Sequence, residues 1–280
     1  MDKKLIINAD DFGVSEDINV GIVECFRRGV VTDISLLACG HHFDHAVWLA
    51  KENNINKIGM HFALTGAFES VSGHAKIPSI ADKKNILPKS FPQLLIKYFI
   101  GKLNMEEIYI ELKAQIAKIK NAHFEITHLD SHEHIHIFGP ILKIVLKVMR
   151  EENIHNIRFP MEKVSMFGLI VEPFNAIRHF ALRCFCNLSK RLLREADIKH
   201  NKYFFGHFHA HRLNRRDFYS FIRRIKPGIT EIGCHPGYFG LLISKSRPWY
   251  RHCEQELDVL CDKKFRKEIE KRKIQLTSYS

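Results

Sequence analysis

The first apolar run of this 280-residue chain, residues 5–7, is short, unbroken and rich in β-branched side chains, and it soon gives way to two adjacent carboxylates, Asp10 and Asp11, followed by Gly13. An uninterrupted run of this kind suits a parallel strand buried on both faces. Two neighbouring carboxylates are costly unless a cation or a shared proton compensates them. At the carboxyl end of a strand in a barrel or α/β sheet, such a pair points to a metal-and-base site.

Strand and helix patterns alternate from there. A strand over 5–8 leads to a helix over 15–28, with Ser15 as N-cap and Glu16 and Asp17 at its positive end. Further strand patterns cover 33–39, 57–62, 125–130, 154–159 and 229–234, and helical patterns cover 43–53, 90–103, 105–122 and 140–152. The polar stretch 65–79 reads as a long strand-to-helix loop beside His61. This alternation predicts an α/β fold with a parallel sheet. The length suits a closed or nearly closed (β/α) barrel, or a distorted or incomplete one, in a single domain over 1–280.

Residues 164–211 break the alternation and read as an atypical basic helical insert. Ile177, Phe180, Ala181, Cys184, Phe185, Leu188 and Leu192 recur there at helical spacing, with Arg178, Arg183, Lys190, Arg191 and Arg194 among or opposite them. The pattern predicts a basic amphipathic helix packed on the barrel. The alternative is a helix resting on an anionic membrane surface.

Charge narrows the partners less than the motifs do. The formal net charge of +12 favours anionic partners such as nucleic acid, an acidic membrane or an anionic substrate, without choosing among them. No nucleic-acid-binding module is visible, so none is expected as a partner. The seven cysteines show no disulfide spacing and read as reduced thiols. The first residues lack the apolar core of a signal peptide, and no uncharged apolar stretch approaches the ~18 residues of a membrane span. The expectation is a cytoplasmic protein, peripheral to the inner membrane face if the basic helix meets lipid.

A mononuclear metal hydrolase needs ligands from separate strands, an open position for water, a base and an acid. Either Asp10 or Asp11 can ligate while the other accepts the water proton, and His61 at the end of a strand is the second ligand. The third comes from the His-rich segment Thr127–His136, where spacing does not choose among His128, His132, His134 and His136. His235, after the last strand, is free to act as acid. Arg158 and Glu162 flank another strand end and could hold substrate or orient a ligand. His207, His209 and His211 form a rival metal site without a carboxylate pair in sequence, and His41 and His42 read as loop residues.

Four motifs now stand in order: Asn8-Ala-Asp10-Asp11-Phe-Gly13, Gly59-Met60-His61, Thr127-His128-Leu129-Asp130-Ser131-His132 and Cys234-His235-Pro236. In this order they resemble the YdjC/ChbG carbohydrate deacetylases. The resemblance implies a (β/α) barrel of the glycoside hydrolase/deacetylase type and a metal-dependent hydrolysis of the N-acetyl group of an amino sugar. It implies a divalent metal, magnesium before zinc, on Asp11, His61 and His132, with Asp10 as general base and His235 as acid. By the same resemblance His128, Asp130, His134 and Arg158 line the substrate or support the ligands, and the protein forms a homodimer. Pro248-Trp249-Tyr250-Arg251-His252 and the insert are similar to the hopanoid-biosynthesis-associated branch, which implies a lipid-linked N-acetylated sugar in place of a free or oligomeric one. Two rival functions are another divalent-metal amidohydrolase or phosphoesterase, and a basic lipid- or nucleic-acid-binding protein without catalysis. The first usually wants a His-x-His on the first strand, and the second leaves the strand-end motifs unexplained.

Overall fold

A computed structural model describes residues 2–164 and 172–279. Its centre is a nine-stranded sheet with the path β6-β5-β4-β3-β2-β1-β8-β7. The strands on that path are β1 (Lys3–Phe12), β2 (Asp33–Leu36), β3 (Lys57–Phe62), β4 (Glu125–Ser131), β5 (Asn156–Ile157), β6 (Lys199–His200), β7 (Tyr203–Phe205) and β8 (Gly228–Cys234). Neighbours along the path are parallel, and β9 (Ile274–Leu276) lies against the first residues of β1, also parallel. β6 and β7 end the path without pairing to each other among the described residues. The barrel is therefore incomplete, a curled sheet with helices on its outer face.

Local chemistry accounts for the central pieces. β1 is buried from Leu5 onward, as its unbroken apolar run requires. Helix α1 (Glu16–Arg28) starts where the Ser15 hydroxyl accepts from the Ile18 amide at 3.2 Å, with acidic residues in the first turn and Arg27 and Arg28 in the last. Pro140 stands in the first turn of helix Gly139–Glu151, where its missing N–H costs nothing.

Several sequence expectations change. β1 does not stop at Asn8 but carries Asp10 and Asp11 within it. Its register with β2 slips by one residue between Ala9 and Phe12, and Asp11 sits at φ 64°. That bulge turns the second carboxylate out of the strand's alternation. β5 keeps only two of the six residues suggested by the apolar run 154–159. The segment 164–211 is not simply a helical insert: it contributes β6 and β7, so strand–helix alternation continues through it. Its residues 165–171 lie outside the described residues.

The helix within that segment, Pro173–Glu195, turns a different face to the core from the one its apolar residues suggest. The buried stripe is His179, Leu182, Cys186, Ser189 and Leu193, while Ile177, Phe180 and Leu188 are 69%, 69% and 74% exposed. Two polar residues, His179 and Ser189, lie in the stripe, the first with both ring nitrogens unpartnered. The second, Ser189, donates to the Ile137 carbonyl at 2.7 Å.

Candidate active site

The carboxyl ends of β1, β3, β4 and β8 converge. Asp11, fully buried, faces His61 Nε2 at 3.3 Å and His132 Nδ1 at 3.2 Å through the same oxygen, Oδ1. His61 is the fifth residue of β3, and His132 follows the last residue of β4 at the start of a tight turn, His132–Ile137. Glu133 and His134 in that turn both take positive φ, 55° and 54°, so the chain reverses sharply and His132 is separated from the histidines after it. The other nitrogen of His61 meets Asp130 Oδ1 at 2.8 Å. This fixes the ring so that Nε2 faces Asp11.

Asp10 points elsewhere. Arg158 holds it bidentately, Nη1 to Oδ2 at 2.6 Å and Nη2 to Oδ1 at 2.7 Å, and Asn8 Nδ2 donates to Oδ1 at 2.7 Å. Oδ1 thus uses both lone pairs, while Oδ2 keeps one for an incoming proton. The same guanidinium meets Asp130 Oδ2 at 2.7 Å and Glu231 Oε1 at 2.6 Å. One fully buried cation therefore serves three carboxylates, and its own pKa is held well above the ordinary guanidinium range by Asp10, Asp130 and Glu231 against the penalty of burial.

The remaining expected residues take separate places. His235 Nε2 lies 3.9 Å from Asp11 Oδ2, and burial lowers its pKa despite Asp11 and Asp10 nearby. His128 is tucked under Gly59, where a Cβ would stand 2.2 Å from its ring, and reaches Asp130 through Ser35 Oγ at 3.1 Å. Burial pushes its pKa down to about 4, so it sits there neutral. His134 packs on Phe204 and His207 with its Nδ1 buried and unpartnered. His136 bonds Ser131 and the Arg158 carbonyl, bracing the turn. Glu162 accepts from the Phe208 amide and braces the loop after β7.

The rival His cluster separates. His207 joins His134 and His179, His209 pairs with Glu172 and Asp217, and His211 alone comes to the main site, its ring 4.0 Å from that of His235. Sequence reasoning missed His211 and Tyr250 as members of this site. Tyr250, deeply buried, donates its hydroxyl to Asp11 Oδ2 from 239 residues away, a contact with no local signal. Phe68 also went unnoticed; it lies edge-on to His132 and under the Arg247 guanidinium, fixing that histidine from behind.

The donor set fits a divalent cation. Asp11, His61 and His132 each offer one ligand atom, and the three atoms lie within 4.8 Å of one another. Two ligands bound at about 2.1 Å to one ion stand about 3.0–3.4 Å apart, which matches the spacings from Asp11. A carboxylate with two imidazoles suits a borderline ion such as Zn2+ better than hard Mg2+. Without a cation, burial opposes charge on His61, but Asp130 and Asp11 hold its pKa up at about 10. The imidazole is then protonated below pH 10, whereas ligation needs Nε2 bare. Binding at pH 7 should release close to one proton, and affinity should climb with pH toward 10. Calorimetry in two buffers of different ionisation enthalpy measures this, and zero release would show that His61 gives up no proton when the ion binds.

Comparison with known proteins follows the same lines. The sequence matches the family model described as YdjC-like protein over residues 4–271. It is 31% identical over 278 residues to a carbohydrate deacetylase of Brevibacillus brevis, covering 99% of this chain and 98% of that one. It is 29% identical to a carbohydrate deacetylase of Geobacillus stearothermophilus, with 100% and 98% covered. Against a chitooligosaccharide deacetylase of Yersinia enterocolitica the identity is 27%, with 100% and 99% covered. A crystal structure from Enterococcus faecalis V583, described as a candidate cellobiose-phosphate cleavage protein, superposes with a TM-score of 0.80 at 24% identity, covering 100% of this chain and 98% of that one. That likeness speaks for the fold.

Proposed function

Because the chain belongs to the YdjC-like protein family, with curated relatives that are carbohydrate deacetylases, we propose that it hydrolyses the N-acetyl group of an amino sugar at the Asp11 centre with a divalent cation. The observation that carries this reading is the division of labour between adjacent carboxylates: Asp11, turned out of the strand's alternation by the bulge, faces two imidazoles, while Asp10 faces a guanidinium. A cation held by Asp11, His61 and His132 would polarise the amide carbonyl and lower the pKa of a water. Asp10 Oδ2 takes the proton of the attacking water, and Arg158 keeps that oxygen aimed and prevents Asp10 from wandering toward the ligands. His235, whose Nε2 lies 3.9 Å from Asp11 Oδ2, gives a proton to the departing amine and regains one through solvent from protonated Asp10, which resets both groups. Tyr250 and Asp130 hold Asp11 and His61 in place.

Acetate release from a panel of N-acetylglucosamine, chito-oligosaccharides and a lipid-linked N-acetylglucosamine tests the substrate class. Release from one or more members supports deacetylation and the preferred member names the sugar form. A protein that hydrolyses phosphoesters and none of the panel would replace the reading with its metal-hydrolase rival.

A second reading concerns where the enzyme meets its substrate, and the outward stripe Ile177, Phe180 and Leu188 favours it. Arg183, Lys190, Arg191 and Arg194 are exposed on the same helix, an apolar and basic combination suited to an anionic bilayer surface. No described helix is long and apolar enough to cross a membrane. Flotation with vesicles rich in anionic lipid should recover the protein at low salt, and Phe180→Ser with Leu188→Ser should weaken recovery by roughly tenfold or more. Equal flotation of the double variant would remove this face from the contact.

A further inference from the structure

We infer that Tyr279, at the end of the sheet opposite the chemistry, is a positioning residue for Asp10, acting through Glu231 and Arg158. The inference rests on reading Asp10 as the base. The chain reaches that position by a fixed route. β9 runs beside Lys3–Leu5 of β1, and the Thr277 amide then donates to the Leu5 carbonyl at 3.0 Å. Two residues later the Tyr279 amide donates to Asp33 Oδ1 at 3.1 Å, and its carbonyl accepts from Asn156 Nδ2 at 3.0 Å. Asp33 and Asn156 are the first residues of β2 and β5, so the backbone of Tyr279 is pinned across the amino ends of two strands.

From there the side chain enters the curled sheet. Its ring stacks on His128 at 4.1 Å and an interplanar angle of 24°, and its hydroxyl donates to Glu231 Oε2 at 2.5 Å. The other oxygen of Glu231 accepts from Arg158 Nε at 2.6 Å, and the two Nη groups of Arg158 grip Asp10. Three contacts thus run from beneath the sheet to the reacting carboxylate, and Glu231 and Arg158 are both fully buried.

The guanidinium is planar and rigid, so a hold on Nε sets where both Nη groups aim. At the Nη edge, Nη2 serves both Asp10 Oδ1 and Asp130 Oδ2, so a small rotation of the plane shifts it from one carboxylate toward the other. Glu231 holds that plane in place, and the Tyr279 hydroxyl fixes Glu231. With the hydroxyl gone, Glu231 is free to turn, Arg158 shifts along the Asp10–Asp130 edge, and Oδ2 of Asp10 loses its aim. Placement errors of this kind reduce the chemical step and leave binding alone. Tyr279 is pinned at the amino ends of β2 and β5, while the site gathers at the carboxyl ends of the strands, so its effect travels through Glu231 and Arg158.

Tyr279→Phe keeps the ring on His128 and removes only the hydroxyl. It should lower kcat roughly tenfold, with KM and bound metal unchanged. In the Asp10→Asn background the same change should have no further effect on the residual rate, because the residue it positions is gone. Normal kcat in Tyr279→Phe, beside a dead Asp10→Asn, overturns the inference and leaves the base assignment standing. Full activity in Asp10→Asn overturns both. A loss confined to KM or to metal content would make Tyr279 merely structural. If Tyr279→Phe does not fold, Glu231→Gln, which keeps the shape at the next contact, must show the same fall in kcat, and a normal kcat there overturns the inference.

Discussion

Asp10→Asn should lower acetate release by roughly 10²–10⁴-fold, the usual contribution of a positioned general base, while the protein still binds one divalent cation. The substitution keeps the shape of the side chain and its acceptor toward Asn8 or Arg158 but cannot take a proton. It leaves Asp11 with its own partners, His61, His132 and Tyr250. Activity assays beside metal analysis decide the matter. Loss of metal together with activity would mean that the two aspartates share ligation. Retained turnover would place the base elsewhere.

The second large effect is on stability. Arg158→Met should destabilise the fold by about 3–5 kcal/mol, because Asp10, Asp130 and Glu231 would keep their burial and lose the cation common to them. Out of a typical domain stability of about 5–15 kcal/mol, that is enough to show as a large fall in urea midpoint or as insoluble protein. The loss should grow with pH. Burial raises Glu231 to about 7 even with Arg158 present, so below that pH Glu231 carries a proton and asks less of the cation, and above it Glu231 adds its own charge to the demand. Arg158→Lys should recover part of the stability, since one ammonium restores charge but cannot span three carboxylates. An unchanged midpoint in Arg158→Met would show that these carboxyls are neutral in the folded protein.

How far the sequence reveals this site depends on what kind of contact is involved. Asp10, Asp11 and His61 were legible because each stands at the end of an apolar run, and β3 appears with the bounds its pattern predicts. Arg158 was legible for the same reason, although its three acidic partners come from three other strands. The bulge at Asp11 was not legible, because one extra residue leaves no trace in an apolar run. Tyr250, His211 and Tyr279 reach the network through tertiary contacts 239, 24 and 48 positions away, and no local spacing rule marks such pairs. The face of helix Pro173–Glu195 was misjudged because hydrophobicity ranks Phe180 above Ser189. The core instead accepts Ser189, whose hydroxyl is satisfied, and leaves Phe180 outside. The two-residue strands β5 and β6 are too short to show a period at all.

Metal reconstitution tests the central claim most directly. The chelator-stripped protein, assayed for acetate release on the preferred sugar, should be inactive. Activity should return linearly with added divalent ion and reach its plateau at one equivalent per chain. His132→Ala, titrated in parallel, should need far more ion to reach any plateau. Full acetate release from the stripped protein with no ion added would contradict the metal-assisted reading.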